Sequence, residues 1–228
     1  MSLIPFMGQK LSDLKRKNIL LEIFERLFQH FGPQKWWPAE TPFEVCVGAI
    51  LTQNASWKNV ERAIANLKER GLLHPLKLYH LSLEELANLI KPSGYYNIKA
   101  KRLKNFVKFL VENYEGDLEK MKEEGLETLR EKLLQIRGLG PETVDSILLY
   151  ALEKPVFVVD AYTYRILSRH NLCPEETTYE ELQSFFYAHL EKDIELFKEY
   201  HALLVACGKT FCKKKEPLCE GCPLSDLR

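Results

Sequence analysis

Apolar positions recur at helical spacing along most of the chain. Ile19, Leu20, Ile23, Phe24, Leu27, Phe28 and Phe31 mark one face, and Gly32-Pro33 ends that run. Residues 43–53 are mostly apolar and predict a buried helix. Ser82 followed by Glu85 predicts a capping box that opens a helix to about Ile90, and Thr178 with Glu181 repeats the signature. Pro92-Ser93-Gly94 breaks the chain before a basic helix from about Asn97 to Asn113. Strand-like patterning is confined to Val156–Val159, too short to build a sheet. The expected class is all-α with short connections. The break at Pro33–Pro42 and the change near Pro155 are candidate domain crossings.

Composition adds limits. The chain has 228 residues, 46% of them hydrophobic, enough for one large or two small cores. The 32 basic and 32 acidic residues cancel, so any nucleic-acid contact must come from local patches and backbone amides. No apolar run approaches the roughly 20 residues of a membrane span. The opening MSLIPFMGQKLSDLKRKN lacks a secretory apolar region, so an intracellular protein without membrane contact is expected. Of six cysteines, Cys46 and Cys173 stand alone, whereas Cys207, Cys212, Cys219 and Cys222 crowd together. In a reducing compartment that clustering suggests metal ligation.

The densest signal is residues 129–167. Leu133, Leu134 and Ile136 close one amphipathic helix, Gly138-Leu139-Gly140 makes a turn, and Pro141 suits the first position of the next helix. Such a turn lets backbone approach a phosphate and aims free N–H groups at it. It reads charge and shape, not sequence. Alone, it is equally an ordinary packing corner. About 20 residues later the run VFVV meets Asp160, which is placed to cap the helix AYTYRIL. A helix N-terminus favours the ionised carboxylate. In isolation a capping Asp is usually no more than a cap.

A second block, residues 35–60, holds every tryptophan of the chain: Trp36, Trp37 and Trp57. Indoles are either core packing or the walls that grip a base pulled from its stack. An indole face also favours a cationic base by roughly 0.5–2 kcal/mol. Lys99, Lys101, Arg102 and Lys104 form a basic stripe that either tracks phosphates or is simply solvated.

The hairpin, the apolar run and VVDAY together resemble the helix-hairpin-helix, endonuclease III-like DNA glycosylase superfamily. WWP, LTQN and PSGYYNIKAKRL are most similar to its 3-methyladenine glycosylases. The resemblance covers about residues 35–170. It implies a two-lobed fold, with a helical barrel lobe of residues 42–152 ending in the hairpin and a second, discontinuous lobe of residues 1–41 with 153–228, and duplex DNA bearing a damaged base across the cleft. It implies Asp160 as the catalytic carboxylate, which stabilises the oxocarbenium-like sugar or aligns water. Trp36, Trp37, Pro38 and Trp57 are implied as the base pocket. Gln53, beside Asn54, would fill the gap left by the flipped base. Gly138, Leu139, Gly140, Lys99 and Lys101 are the other expected DNA contacts. An alkylated purine such as 3-methyladenine is the implied substrate, acted on by a nucleoid-associated cytoplasmic monomer.

Two departures from the family pattern matter. Lyase members carry Lys where this chain has Glu142, and Glu cannot form an imine, so a monofunctional enzyme is expected. Cys212, Cys219 and Cys222 match three positions of an iron–sulfur loop, but the fourth falls on Arg228. Cys207 is the expected replacement ligand for a 4Fe–4S cluster, zinc being the alternative. An endonuclease III-like lyase acting on oxidised pyrimidines, a mismatch glycosylase and a non-catalytic hairpin module are the other readings.

Overall fold

The computed structural model describes residues 13–227, with side chains from Ile19 onward; Arg228 lies outside the described residues. Twelve α-helices run through them, and none of these residues is in a strand. They divide into two compact units, residues 37–154 and residues 13–36 with 155–227.

The discontinuous unit begins with α1 (Asp13–Phe31). The unit of residues 37–154 holds α2 (Pro42–Leu51), α3 (Trp57–Glu69), α4 (Pro75–His80), α5 (Leu83–Leu89) and α6 (Tyr96–Tyr114). It continues with α7 (Leu118–Lys122), α8 (Leu126–Leu134) and α9 (Pro141–Ser146). A π-helical turn, Ile147–Ala151, extends α9. The chain then returns to the discontinuous unit as α10 (Ala161–Arg169), α11 (Tyr179–His189) and α12 (Ile194–Thr210).

In the continuous unit α2 is the central element. Phe43 and Val45–Leu51 are buried, as an almost wholly apolar segment must be. Thr41 caps the helix by accepting from the Glu44 N–H at 3.1 Å. The buried Glu44 carboxylate reaches Lys68 of α3 at 2.8 Å, so its charge is not stranded. The helix stops at Leu51, two residues short of the predicted end, which leaves Gln53 and Asn54 in a turn. Both predicted capping boxes form, at Ser82/Glu85 and Thr178/Glu181. Between α8 and α9, Arg130 grips the fully buried Asp145 with two bonds of 2.7 and 3.1 Å. Losing one partner of such a pair costs about 3–5 kcal/mol.

The discontinuous unit packs α1, α11 and α12 around aromatic rings. Phe157 stacks on Phe186 at 3.7 Å between centroids, and the Tyr200 hydroxyl donates to Leu20 O at 2.7 Å. Residues 156–159 are buried and lie outside any helix or strand. Side chains of α11 supply the missing bonds. Phe157 N–H donates to the Tyr187 hydroxyl, Val159 N–H to the Tyr179 hydroxyl, and Phe157 O accepts from Gln183. This explains why a β-like run needs no partner strand.

Candidate functional site

Asp160 is the N-cap of α10. One carboxylate oxygen, Oδ1, accepts from the Tyr162 N–H (2.9 Å), the Thr163 N–H (2.7 Å) and the Thr163 hydroxyl (3.0 Å). The other, Oδ2, lies 3.5 Å from His201 Nε2 on α12, and the Asp160 side chain keeps 9% of its surface exposed. Burial by itself raises the Asp160 pKa. The His201 hydrogen bond and charge, with the Thr163 donors, more than reverse that and hold it below the usual carboxylate value. The site therefore presents an ionised carboxylate. His201 was missed at the sequence level, since nothing around it in α12 marks it.

Trp36 shares the discontinuous unit with Asp160. Its ring meets His201 edge-on at 5.8 Å, and the Lys209 ammonium sits 5.7 Å from its centroid. Trp37 belongs to the other unit, where it meets Trp57 at 5.6 Å and Tyr150 at 5.3 Å, both edge-on. Pro38 is exposed. Within its unit the structure thus brings together Trp37, Trp57 and an unforeseen third ring, Tyr150. Tyr150 lies in the π turn, an irregularity often found at functional sites. Gly48 of α2 admits the indole, because a Cβ there would stand 3.0 Å from Trp37 Nε1.

The hairpin turn is built as expected, with Gly138 and Gly140 exposed and the Leu139 side chain buried, so only backbone is offered outward. Gly138 has φ +99, and a Cβ there would lie 2.5 Å from Arg102 Cγ. Gln53 is tied to this turn. It donates to Thr143 Oγ1 at 2.8 Å and to Gly138 O at 3.5 Å, and accepts from Arg102. The expected gap-filling side chain is thus held within its own unit. By contrast Tyr95, which opens α6, is 71% exposed on a left-handed backbone with φ +45.

The basic stripe requires a correction. Lys99 is only 1% exposed, and its ammonium donates to Leu51 O and Ser93 O, both at 2.7 Å. Burial, then the neighbouring Arg102 charge, lower its pKa to about 8. Lys104 donates to Leu78, Tyr79 and Leu81 carbonyls, closing the end of α4. These carbonyls are the unpaired acceptors of helix ends and turns, so the lysines serve backbone and not phosphate. Lys101 alone of the three lysines is exposed.

The cysteine loop is anchored by α10. Arg165 donates to Cys212 O at 2.6 Å, and Arg169 to Lys213 O and Lys214 O at 2.8 and 3.0 Å. Arg169 also reaches Cys212 Sγ at 3.3 Å. The Cys207 thiol, pushed up chiefly by burial, hydrogen-bonds to Cys222 with Cys212 near enough to act on it electrostatically. Cys219 is exposed. Among the described residues no three side chains are gathered as metal ligands. The donor chemistry, four unbridged thiols with cationic guanidinium groups alongside, still suits an anionic cluster.

Residues 47–191 match the family model of the HhH-GPD superfamily of base excision DNA repair proteins. The chain belongs to this superfamily. A candidate DNA repair glycosylase of Methanocaldococcus jannaschii is 52% identical over 212 residues, 92% of this chain and 96% of that one. Endonuclease III of Thermotoga maritima is 32% identical, with 81% of each chain covered. Among solved structures, the H. pylori 3-methyladenine DNA glycosylase bound to 1,N6-ethenoadenine superposes with a TM-score of 0.73 at 30% identity. That match covers 85% of this chain and 97% of the other. An endonuclease III–DNA covalent intermediate gives a TM-score of 0.78 at 22% identity, over 94% of both chains, and supports the fold. The protein is an all-helical DNA glycosylase of the HhH-GPD superfamily. Among its described residues, no helix is long and apolar enough to cross a membrane.

Proposed function

We propose that this glycosylase removes an alkylated purine, such as 3-methyladenine, from duplex DNA by hydrolysis, without strand cleavage. The ionised Asp160, with Oδ1 held by three donors and Oδ2 facing His201, is the observation that carries this reading. The C1′–N bond breaks and the base leaves with the bonding electron pair. Oδ2 stabilises the cationic sugar, and water adds at C1′ with loss of its proton. An N3-alkylated adenine is already cationic and leaves neutral, so no general acid is required. A fixed anion at the developing positive charge is the main demand on the protein.

Trp37 and Trp57, backed by Tyr150, suit a positively charged flat base. Trp36 already faces Lys209, and a second cation on that ring would be repelled, so we assign it a supporting role. Tyr95, held outward on a strained backbone, is suited to entering the stack as the base leaves. The exposed hairpin backbone at Gly138 and Gly140, together with Lys101, supplies contacts for phosphate. Glu142, exposed where a Schiff-base lysine would stand, supports monofunctional action.

Cys207, Cys212, Cys219 and Cys222 would hold a 4Fe–4S cluster, whose contribution would be structural, fixing the loop that carries Lys213, Lys214 and Lys215. Absorbance in the visible iron–sulfur band of protein purified without oxygen tests that part. Single-turnover assays on duplexes carrying one alkylated, oxidised or deaminated base, each with and without alkali, test the activity. Release of the alkylated base with strand breaks only after alkali is expected. Breaks without alkali, or preference for an oxidised pyrimidine, would overturn the reading.

A further inference from the structure

The two oxygens of Asp160 are anchored unequally. The three donors on Oδ1 all come from the first turn of α10 and fix one point of the carboxylate. The terminal torsion of an Asp side chain is soft and carries both oxygens together, so donors on both sides hold the plane more tightly than donors on one side. On the other side, His201 Nε2 lies 3.5 Å from Oδ2. His201 is itself confined. It is 5% exposed, follows the fully buried Tyr200, and receives the edge-on ring of Trp36, whose face carries Lys209. The two helices are held in register where Gly208 of α12 meets the Tyr162 ring, which touches the place a Cβ would occupy.

We propose that His201, backed by Trp36, is a positioning residue for base excision. Its Nε2–H, acting with the α10 donors on Oδ1, holds the plane of the Asp160 carboxylate and so the direction in which Oδ2 faces the sugar. The proposal rests on the reading of Asp160 as the reacting carboxylate. His201 is assigned to act through that group.

The test compares wild type, His201→Phe, His201→Gln, Asp160→Asn and the double variant Asp160→Asn/His201→Phe. The readouts are single-turnover release of 3-methyladenine and binding to a duplex holding a tetrahydrofuran abasic analogue. Misplacing a catalytic group by an ångström costs on the order of 100-fold. His201→Phe is therefore expected to slow release by about 10- to 100-fold while changing abasic-duplex binding by less than about twofold. His201→Gln, which keeps an N–H donor, should recover most of the rate. In the Asp160→Asn background, His201→Phe should add nothing. Wild-type release by His201→Phe, equal losses of release and binding, or an additive loss in the double variant would each overturn the proposal. If the phenylalanine variant does not fold, ¹⁵N spectra of the wild-type histidines decide. A His201 ring protonated at Nε2 and perturbed by Asp160→Asn supports the proposal, and a ring protonated only at Nδ1 sinks it. Full activity of Asp160→Asn would instead remove the underlying reading. An inactive Asp160→Asn beside an unimpaired His201→Phe removes this proposal alone.

Discussion

Asp160 and Lys99 each bring an ionisable group to a nearly water-free place, in different units of the molecule, and are treated in opposite ways. Around Asp160 two backbone N–H groups, a hydroxyl and an imidazole converge on the carboxylate and outweigh its loss of water. Around Lys99 two neutral carbonyls accept from the ammonium, but no carboxylate accompanies them and Arg102 opposes it. Its pKa therefore falls to about 8. A buried charge kept ionised beside a residual opening is equipped for chemistry. A buried charge spent on the ends of α2 and the Pro92 turn holds backbone together.

Substitutions separate the two roles. The largest effect is expected at Asp160→Asn, which keeps the cap but removes the charge. Base release in single turnover should fall by about 10³-fold, with abasic-duplex binding retained. Lys99→Ala should leave the chemical step unchanged and lower unfolding stability by about 2–4 kcal/mol, read by urea denaturation, because it leaves a void and two unpaired carbonyls. A rate loss at Lys99→Ala without a stability loss would erase the contrast. Trp57→Ala should reduce the preference for a cationic base over a neutral one by about 0.5–2 kcal/mol, up to roughly 30-fold in relative release rates. Smallest is a pH effect. Between about 8 and the ordinary lysine value the unfolded chain binds the extra proton, so stability should rise with pH across that window. Lys99→Met should flatten this slope. Asp160 acts at the other end: its stabilisation is present above about pH 4 and lost as pH falls further, and Asp160→Asn should abolish that loss.

What the sequence disclosed was local. Both capping boxes, the hairpin turn and the capping position of Asp160 depend on residues within a few places of one another, and each is found where its pattern lies. The destinations of long side chains were not legible. Lys99 and Lys104 look like a phosphate-tracking stripe until tertiary packing turns them onto carbonyls up to 48 residues away. Gln53 reaches partners 85 and 90 residues on, and His201 lies in a helix with no feature of its own. Tyr150 was hidden because a π turn obeys neither the 3.6-residue nor the two-residue period.

Helix α10 has one more implication. A nine-residue helix is a stiff rod of roughly 13 Å. Its leading end carries Asp160, while Arg165 and Arg169 on its later turns grip the main chain of the cysteine-bearing tail. The carboxylate and the main chain of that tail therefore share a single stiff mount.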